Sequence, residues 1–132
     1  MPRSEEAAAW FSAVYRAVQE VPHGKVTSYG HIATLLGYPE RPRQVGICLK
    51  HLPSSTDQPE ARYNSDTVPW QRVVNAKGVI SPRNGGTARQ EAVLVSEGVE
   101  VEHGSMGERS VDFAVCGWFP RRLPSDDAED SE

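Results

Sequence analysis

Two short runs of helical spacing, separated by a break rich in turn residues, constrain this chain more than any other feature. The first follows a Thr27 or Ser28 cap, places Ile32, Ala33, Leu35 and Leu36 on one side, and stops at Gly37, with Tyr38-Pro39 confirming the stop. The second starts near Pro42, a residue suited to a first helical position. It buries Val45, Cys48, Leu49 and Leu52 before Pro53 ends it. Two helices this short cannot bury both faces alone, so the pair reads as a helix-turn-helix that needs a further helix behind it. Residues 5–20 supply one, with Trp10, Phe11, Val14, Tyr15 and Val18 at helical spacing behind Ser4 and a stop at Val21-Pro22-His23-Gly24.

The rest of the chain is less periodic. Residues 53–67 (PSSTDQPEARYNSDT) are expected to form a long surface loop or a disordered segment. Val73-Val74 and Val79-Ile80 flank Asn75-Ala76-Lys77-Gly78 and read as strand, turn, strand. A fourth helix capped by Gly86 or Thr87 runs to about Ser96 and ends at Gly98. The alternation of residues 99–102 predicts a strand, with residues 111–115 pairing across a turn at 103–107. The expectation is one mainly α domain with a small β component over residues 1–124, followed by an acidic disordered tail over 125–132.

Charge separates those two parts. The net charge is -4, yet residues 126–132 hold five of the 18 acids and no base, leaving 13 acids against 14 bases before them. Between Arg41 and Arg89 there are eight bases and only Asp57, Glu60 and Asp66 opposing them. That is the charge a phosphate-facing surface needs, although a merely solvated basic face would look the same. With 132 residues, 38% of them hydrophobic, and no apolar run near the ~20 residues of a membrane span, the chain reads as a soluble domain without a membrane partner. No signal peptide is visible, which places the protein inside the cell, in the nucleus of a eukaryote or otherwise in the cytoplasm. Cys48 and Cys116 are too few and too far apart for a disulfide framework or a thiolate metal site, and the four histidines share no ligand spacing. Neither a metal nor a cofactor is expected.

The most informative segment is Val68-Pro69-Trp70-Gln71-Arg72-Val73-Val74-Asn75. Together with Ser28-Tyr29-Gly30, Arg43-Gln44-Val45-Gly46 and Gly85-Gly86, in this order, it resembles the DNA-binding domain of the O6-alkylguanine-DNA alkyltransferases. Those proteins carry Pro-Cys-His-Arg-Val here, and their cysteine thiolate takes the alkyl group from guanine O6. Because Trp70 stands at the cysteine position, the chain is more similar to the alkyltransferase-like proteins, which keep the fold and have a tryptophan for the nucleophile. The resemblance spans roughly residues 11–98 and implies a winged-helix-like domain.

The residue types themselves argue against alkyl transfer. An indole has no nucleophilic lone pair and no proton to lose near neutral pH, and Gln71 replaces the histidine base of the reactive relatives. The protein is therefore not expected to be an enzyme. What the resemblance implies instead is recognition. Arg43 matches the arginine that fills the stack left by a flipped nucleotide; a capping or salt-bridging arginine is the lesser alternative. Tyr29 matches the tyrosine that crowds the phosphate beside that nucleotide. The implied DNA-binding set is Ser28, Tyr29, Arg43, Gln44, Gly46 and Lys50; the implied lesion pocket is Tyr29, Val68, Pro69, Trp70, Arg83 and Asn84. Glu91 matches the carboxylate that orients the family's histidine, and Arg72 and Asn75 match residues that tie the pocket strand to the helix-turn-helix. The function so implied is non-enzymatic binding of O6-alkylguanine in double-stranded DNA by a monomer. The base would be flipped into the pocket and flagged for nucleotide excision repair proteins. The alternative is a helix-turn-helix transcriptional regulator without lesion specificity.

Overall fold

The computed structural model describes residues 4–81 and 86–126. Helix α1 (Glu5–Gln19) begins where Ser4 accepts the Ala7 N–H at 3.1 Å, with Glu5 and Glu6 favourably placed against the helix dipole. Strand β1 (Thr27–Ser28) leads directly into α2 (Tyr29–Leu35), whose cap is Ser28, accepting the His31 N–H at 3.0 Å. Gly37 closes α2 at φ +88°, a conformation that favours glycine. The Tyr38 N–H then reaches Ala33 O at 2.9 Å and the Gly37 N–H reaches Thr34 O at 3.0 Å, so the orphaned carbonyls are satisfied by the turn itself. Helix α3 (Pro42–Lys50) follows with Pro42 in its first turn. The helix-turn-helix expected from the sequence is present.

Behind it, Val14, Tyr15 and Val18 of α1 pack with Ile32, Ala33, Val45, Cys48 and Leu49, together with Val68, Val73 and Leu123. Each such aliphatic side chain contributes roughly 1.5–3 kcal/mol when removed from water. The Tyr15 hydroxyl donates to the Cys48 carbonyl at 2.6 Å, fixing α3 against α1. A second cluster gathers Val26, Val74, Ile80, Leu94, Val99, Val111 and Cys116. Between the two clusters the chain makes a short 3-10 turn (Trp70–Arg72), then β2 (Val73–Val74); later come α4 (Gly86–Ser96), β3 (Glu102–His103), β4 (Arg109–Ser110) and α5 (Phe113–Cys116).

Two expectations are corrected here. Val73-Val74 do not pair with Val79-Ile80: β2 lies parallel to β1, Thr27 opposite Val73 and Ser28 opposite Val74, while Val79 bridges to Ser110. The turn between them is real but closes on itself, because the Asn75 carboxamide accepts the Lys77 and Val79 N–H groups at 2.9 Å each. Gly78 has φ +80° and a Cβ there would sit 2.6 Å from the Val111 carbonyl, so the turn is pressed against the chain that follows α4. Residues 111–115 are not a strand. The hairpin is shifted to β3 and β4, paired Glu102 with Ser110 and His103 with Arg109, and Asp112 then caps α5. Residues 53–67 form a loop built around the buried Asn64. Its amide reaches the carbonyls of Gln58 at 3.2 Å and Ala61 at 3.3 Å, and its Oδ1 accepts the Asp66 and Thr67 N–H groups. At the start of the tail, Ser125 binds the Glu20 carboxylate through its N–H at 2.9 Å and its hydroxyl at 2.7 Å. The Gly86 or Thr87 cap is not seen as such, since α4 begins at Gly86 and its cap position falls at residue 85, outside the described residues.

Candidate functional site

The start of α2, the outer face of α3 and the turn after β2 enclose an open, mainly apolar groove of about 500 Å³. Tyr29, Gly30, Pro42, Arg43, Gly46, Ile47, Lys50, Asn75, Ala76 and Ser81 line it. Arg43 lies one residue into α3, exposed, and among the described residues no carboxylate pairs with it. Capping is also excluded, because the α3 cap position is Arg41, whose own side chain stacks on Tyr38 at 4.2 Å. Lys50 reaches the same groove from the last turn of α3, and Gln44 is exposed on that helix. A Cβ at Gly46 would meet the Tyr29 ring at an ordinary 3.8 Å, so the fold does not demand glycine there. The missing side chain instead keeps the helix surface flush, while neighbouring Ile47 stands 43% exposed. Ser28 differs from the others: it is buried, and its hydroxyl is engaged in capping α2.

Trp70 occupies a separate place. The 3-10 turn holds it half-buried beside a cleft of about 180 Å³ lined with Leu49, Leu52, Ser54, Ser65, Gly86 and Arg89. A second, polar cleft of about 420 Å³ on the same turn includes Pro69, Trp70, Gln71 and Arg72. Val68 lines neither; it is fully buried in the main core and anchors the turn from behind, accepting the Trp70 N–H at 2.8 Å. Tyr29 belongs to the groove and not to either cleft at Trp70. Ser81 lines the groove and Gly86 lines the Trp70 cleft. Arg83 and Asn84, expected in the lesion pocket, lie outside the described residues.

The carboxylate beside Gln71 is Glu97, which corrects the assignment to Glu91. Glu97 Oε2 accepts from Gln71 Nε2 at 2.7 Å and Arg72 Nη2 at 3.0 Å, and Oε1 accepts from Arg72 Nε at 2.9 Å and the Gly24 N–H at 3.1 Å. Burial works to raise the Glu97 pKa, but the hydrogen bonds from Arg72, Gly24 and Gln71 and the charge of Arg72 outweigh it, and the group lies below the usual carboxylate range. Glu91 instead binds His103 at 2.6 Å and Arg109 at 3.0 Å, pinning the β3–β4 hairpin to α4. Arg72 is likewise a tie, but to the ends of α1 and α4 rather than to the helix-turn-helix: its Nη1 donates to the Val21 carbonyl at 2.8 Å. Asn75 serves its own turn. Sequence reasoning also passed over Gln90, whose buried amide donates to the carbonyls of Gln71 at 3.0 Å and Val73 at 3.1 Å and so locks α4 to the Trp70 turn.

Among the described residues no cysteine lines either cleft at Trp70. Cys48 and Cys116 are buried and form no disulfide, and burial with the neighbouring Asp112 charge pushes the Cys116 thiol up, away from thiolate. Among the described residues no three His, Cys, Asp or Glu side chains gather as metal ligands, and no helix is long and apolar enough to cross a membrane.

With this geometry in place, the similarities to known proteins are specific. Residues 9–99 match the family described as 6-O-methylguanine DNA methyltransferase, DNA binding domain. The chain is 42% identical over 113 residues to Alkyltransferase-like protein 1 of Schizosaccharomyces pombe, covering 84% of this chain and 95% of that protein. It is 38% identical over 105 residues to the DNA base-flipping protein of Escherichia coli, covering 80% and 70%. Its fold superposes on a crystal structure of S. pombe Atl1 in complex with damaged DNA containing O6-carboxymethylguanine with a TM-score of 0.72 at 40% identity, over 90% of this chain and all of that one.

Proposed function

Since the chain belongs to the family of the 6-O-methylguanine DNA methyltransferase DNA-binding domain, we propose that it is a DNA-damage recognition protein acting on O6-alkylguanine in duplex DNA without accepting the alkyl group. One observation carries the second half: the turn that would have to present a thiolate presents the Trp70 indole, and the side chain next to it is an amide held by Glu97. An indole and a carboxamide supply neither nucleophile nor base. The half-buried indole can flank a guanine ring and donate a hydrogen bond to it.

Recognition of a base edge requires the nucleotide to leave the stack, at a cost of a few kcal/mol that is smallest for damaged pairs. In this reading α3 lies along the minor groove, where the flush surface at Gly46 permits close approach, and Tyr29 crowds the backbone beside the lesion. Arg43, exposed and unpaired by any carboxylate among the described residues, takes the vacated position in the stack. The base turns towards Trp70 and the 82–85 segment, with Arg83 and Asn84 completing the pocket. The protein acts as a monomer and hands the flagged site to nucleotide excision repair.

Two substitutions test the division of labour. Arg43→Ala removes the group that fills the hole, so it should cost about 1–3 kcal/mol on a duplex with one O6-methylguanine and distinctly less on undamaged DNA. Lys50→Ala removes a phosphate contact; it should weaken both duplexes alike and lower the salt slope of binding by about one. Titrations of both duplexes over a salt series separate the outcomes, and equal losses from Arg43→Ala on the two would remove the assignment of Arg43.

A further inference from the structure

The wall of the Trp70 site carries one cation that the reading above does not use. Arg89 projects from α4 with its guanidinium carbon 5.6 Å from the centroid of the Trp70 ring, and it lines both of the clefts that include Trp70. Its placement is not accidental to a loose surface helix. The next residue, Gln90, is buried and bonded to two carbonyls of the Trp70 turn, so the register of Arg89 over the indole is locked by the core. Among the described residues the other cation on this wall is Arg72, but Glu97 and the Val21 carbonyl occupy its guanidinium. Among the described residues no carboxylate pairs with Arg89, while Asp66 lines the same polar cleft.

A guanidinium held over an aromatic face keeps its in-plane donors free for a second partner. From this arrangement we infer that Arg89 discriminates among O6 adducts by charge: it favours a substituent ending in a carboxylate over a neutral one of the same size. The inference rests on the reading that the O6 substituent comes against Trp70. The group that meets the indole then meets the guanidinium on its face, and a carboxylate can bind it as a charge-assisted pair. The site is open to solvent, which holds the preference to that of an exposed ion pair, up to about fivefold, and makes it decline with salt. Asp66 opposes it.

The probes are three duplexes of one sequence, containing guanine, O6-carboxymethylguanine or its neutral isostere O6-carbamoylmethylguanine. The full chain should bind the carboxylate adduct about three- to fivefold more tightly than the amide. Arg89→Gln should bring that ratio to about one and leave the amide adduct within twofold, Arg89→Lys should keep most of the preference, and Asp66→Asn should raise it. A ratio that survives Arg89→Gln, or a wild-type ratio of one, overturns the inference. So does an equal loss on all three duplexes with a salt slope reduced by about one, since that is a phosphate contact. If the wild-type protein binds neither adduct better than guanine, it is the lesion-recognition reading itself that fails. Retained binding of the amide adduct shows that the variants are folded.

Discussion

Arg72→Met is expected to destabilise the protein by about 3–5 kcal/mol at neutral pH, because it leaves a buried carboxylate without its counter-charge. The Glu97 side chain is 6% exposed and Arg72 is 15% exposed, and the two are joined in a bidentate pair. Once Arg72 is gone, Gln71 and the Gly24 N–H are the hydrogen-bond donors that remain to Glu97 among the described residues. The pH dependence has a definite sign. In the wild type the folded pKa of Glu97 is lowered, so its contribution is complete above the unfolded carboxylate value near 4.5 and disappears as pH falls through the lower folded value. In the variant burial is no longer outweighed by Arg72, so protonation relieves a penalty and the deficit relative to wild type should shrink in acid. Urea unfolding of both proteins at pH 7 and pH 4 measures this. A deficit that stays below about 1 kcal/mol at pH 7 would show that the network is not a structural anchor.

The same network makes a second large effect predictable. Trp70→Cys alone should transfer little alkyl group, since a thiol with a pKa near ~8.5 is only a few per cent thiolate at neutral pH and Gln71 cannot take its proton. Adding Gln71→His places an imidazole where Glu97 already accepts a hydrogen bond from the side chain at position 71. A positioned base of this kind is worth roughly 10²–10⁴-fold, so the double variant should transfer a methyl group at least about 10²-fold faster than the single one. The sulfur would take the methyl carbon as the bond to guanine O6 breaks. Radiolabelled methyl moving from DNA to protein is the readout. Rapid stoichiometric transfer by Trp70→Cys with Gln71 in place would mean that the site activates a thiol by other means.

How much of this was legible beforehand depended on whether the cause was local. The helices were, since caps such as Ser4 and Ser28, the stop at Gly37 and the apolar stripe of α1 are all encoded within a turn or two. The strands were not: β1 and β2 are two residues each, and Thr27 finds Val73 across 46 positions, a pairing that leaves no alternation to detect. The conformation of the 53–67 loop hangs on one buried asparagine in a segment whose composition otherwise reads as coil. The resemblance points to Glu91, although α4 carries a signal for Glu97. The buried Gln90 and Leu94 define a stripe that Glu97 continues three residues on, while Glu91 lies a full 100° off it. Arg89 could be read only from the structure, because its position over Trp70 depends on how α4 docks on a turn 19 residues earlier.

Binding and chemistry can be separated in one experiment on the unmodified protein. It is titrated with a duplex carrying a single O6-methylguanine and with the same duplex carrying guanine, and the intact mass of the protein is taken after prolonged incubation with the damaged duplex. Tighter binding to the damaged duplex, weakening as salt rises, together with an unchanged protein mass, is the predicted result. Equal affinity for the two duplexes, or a protein heavier by one methyl group, would contradict it.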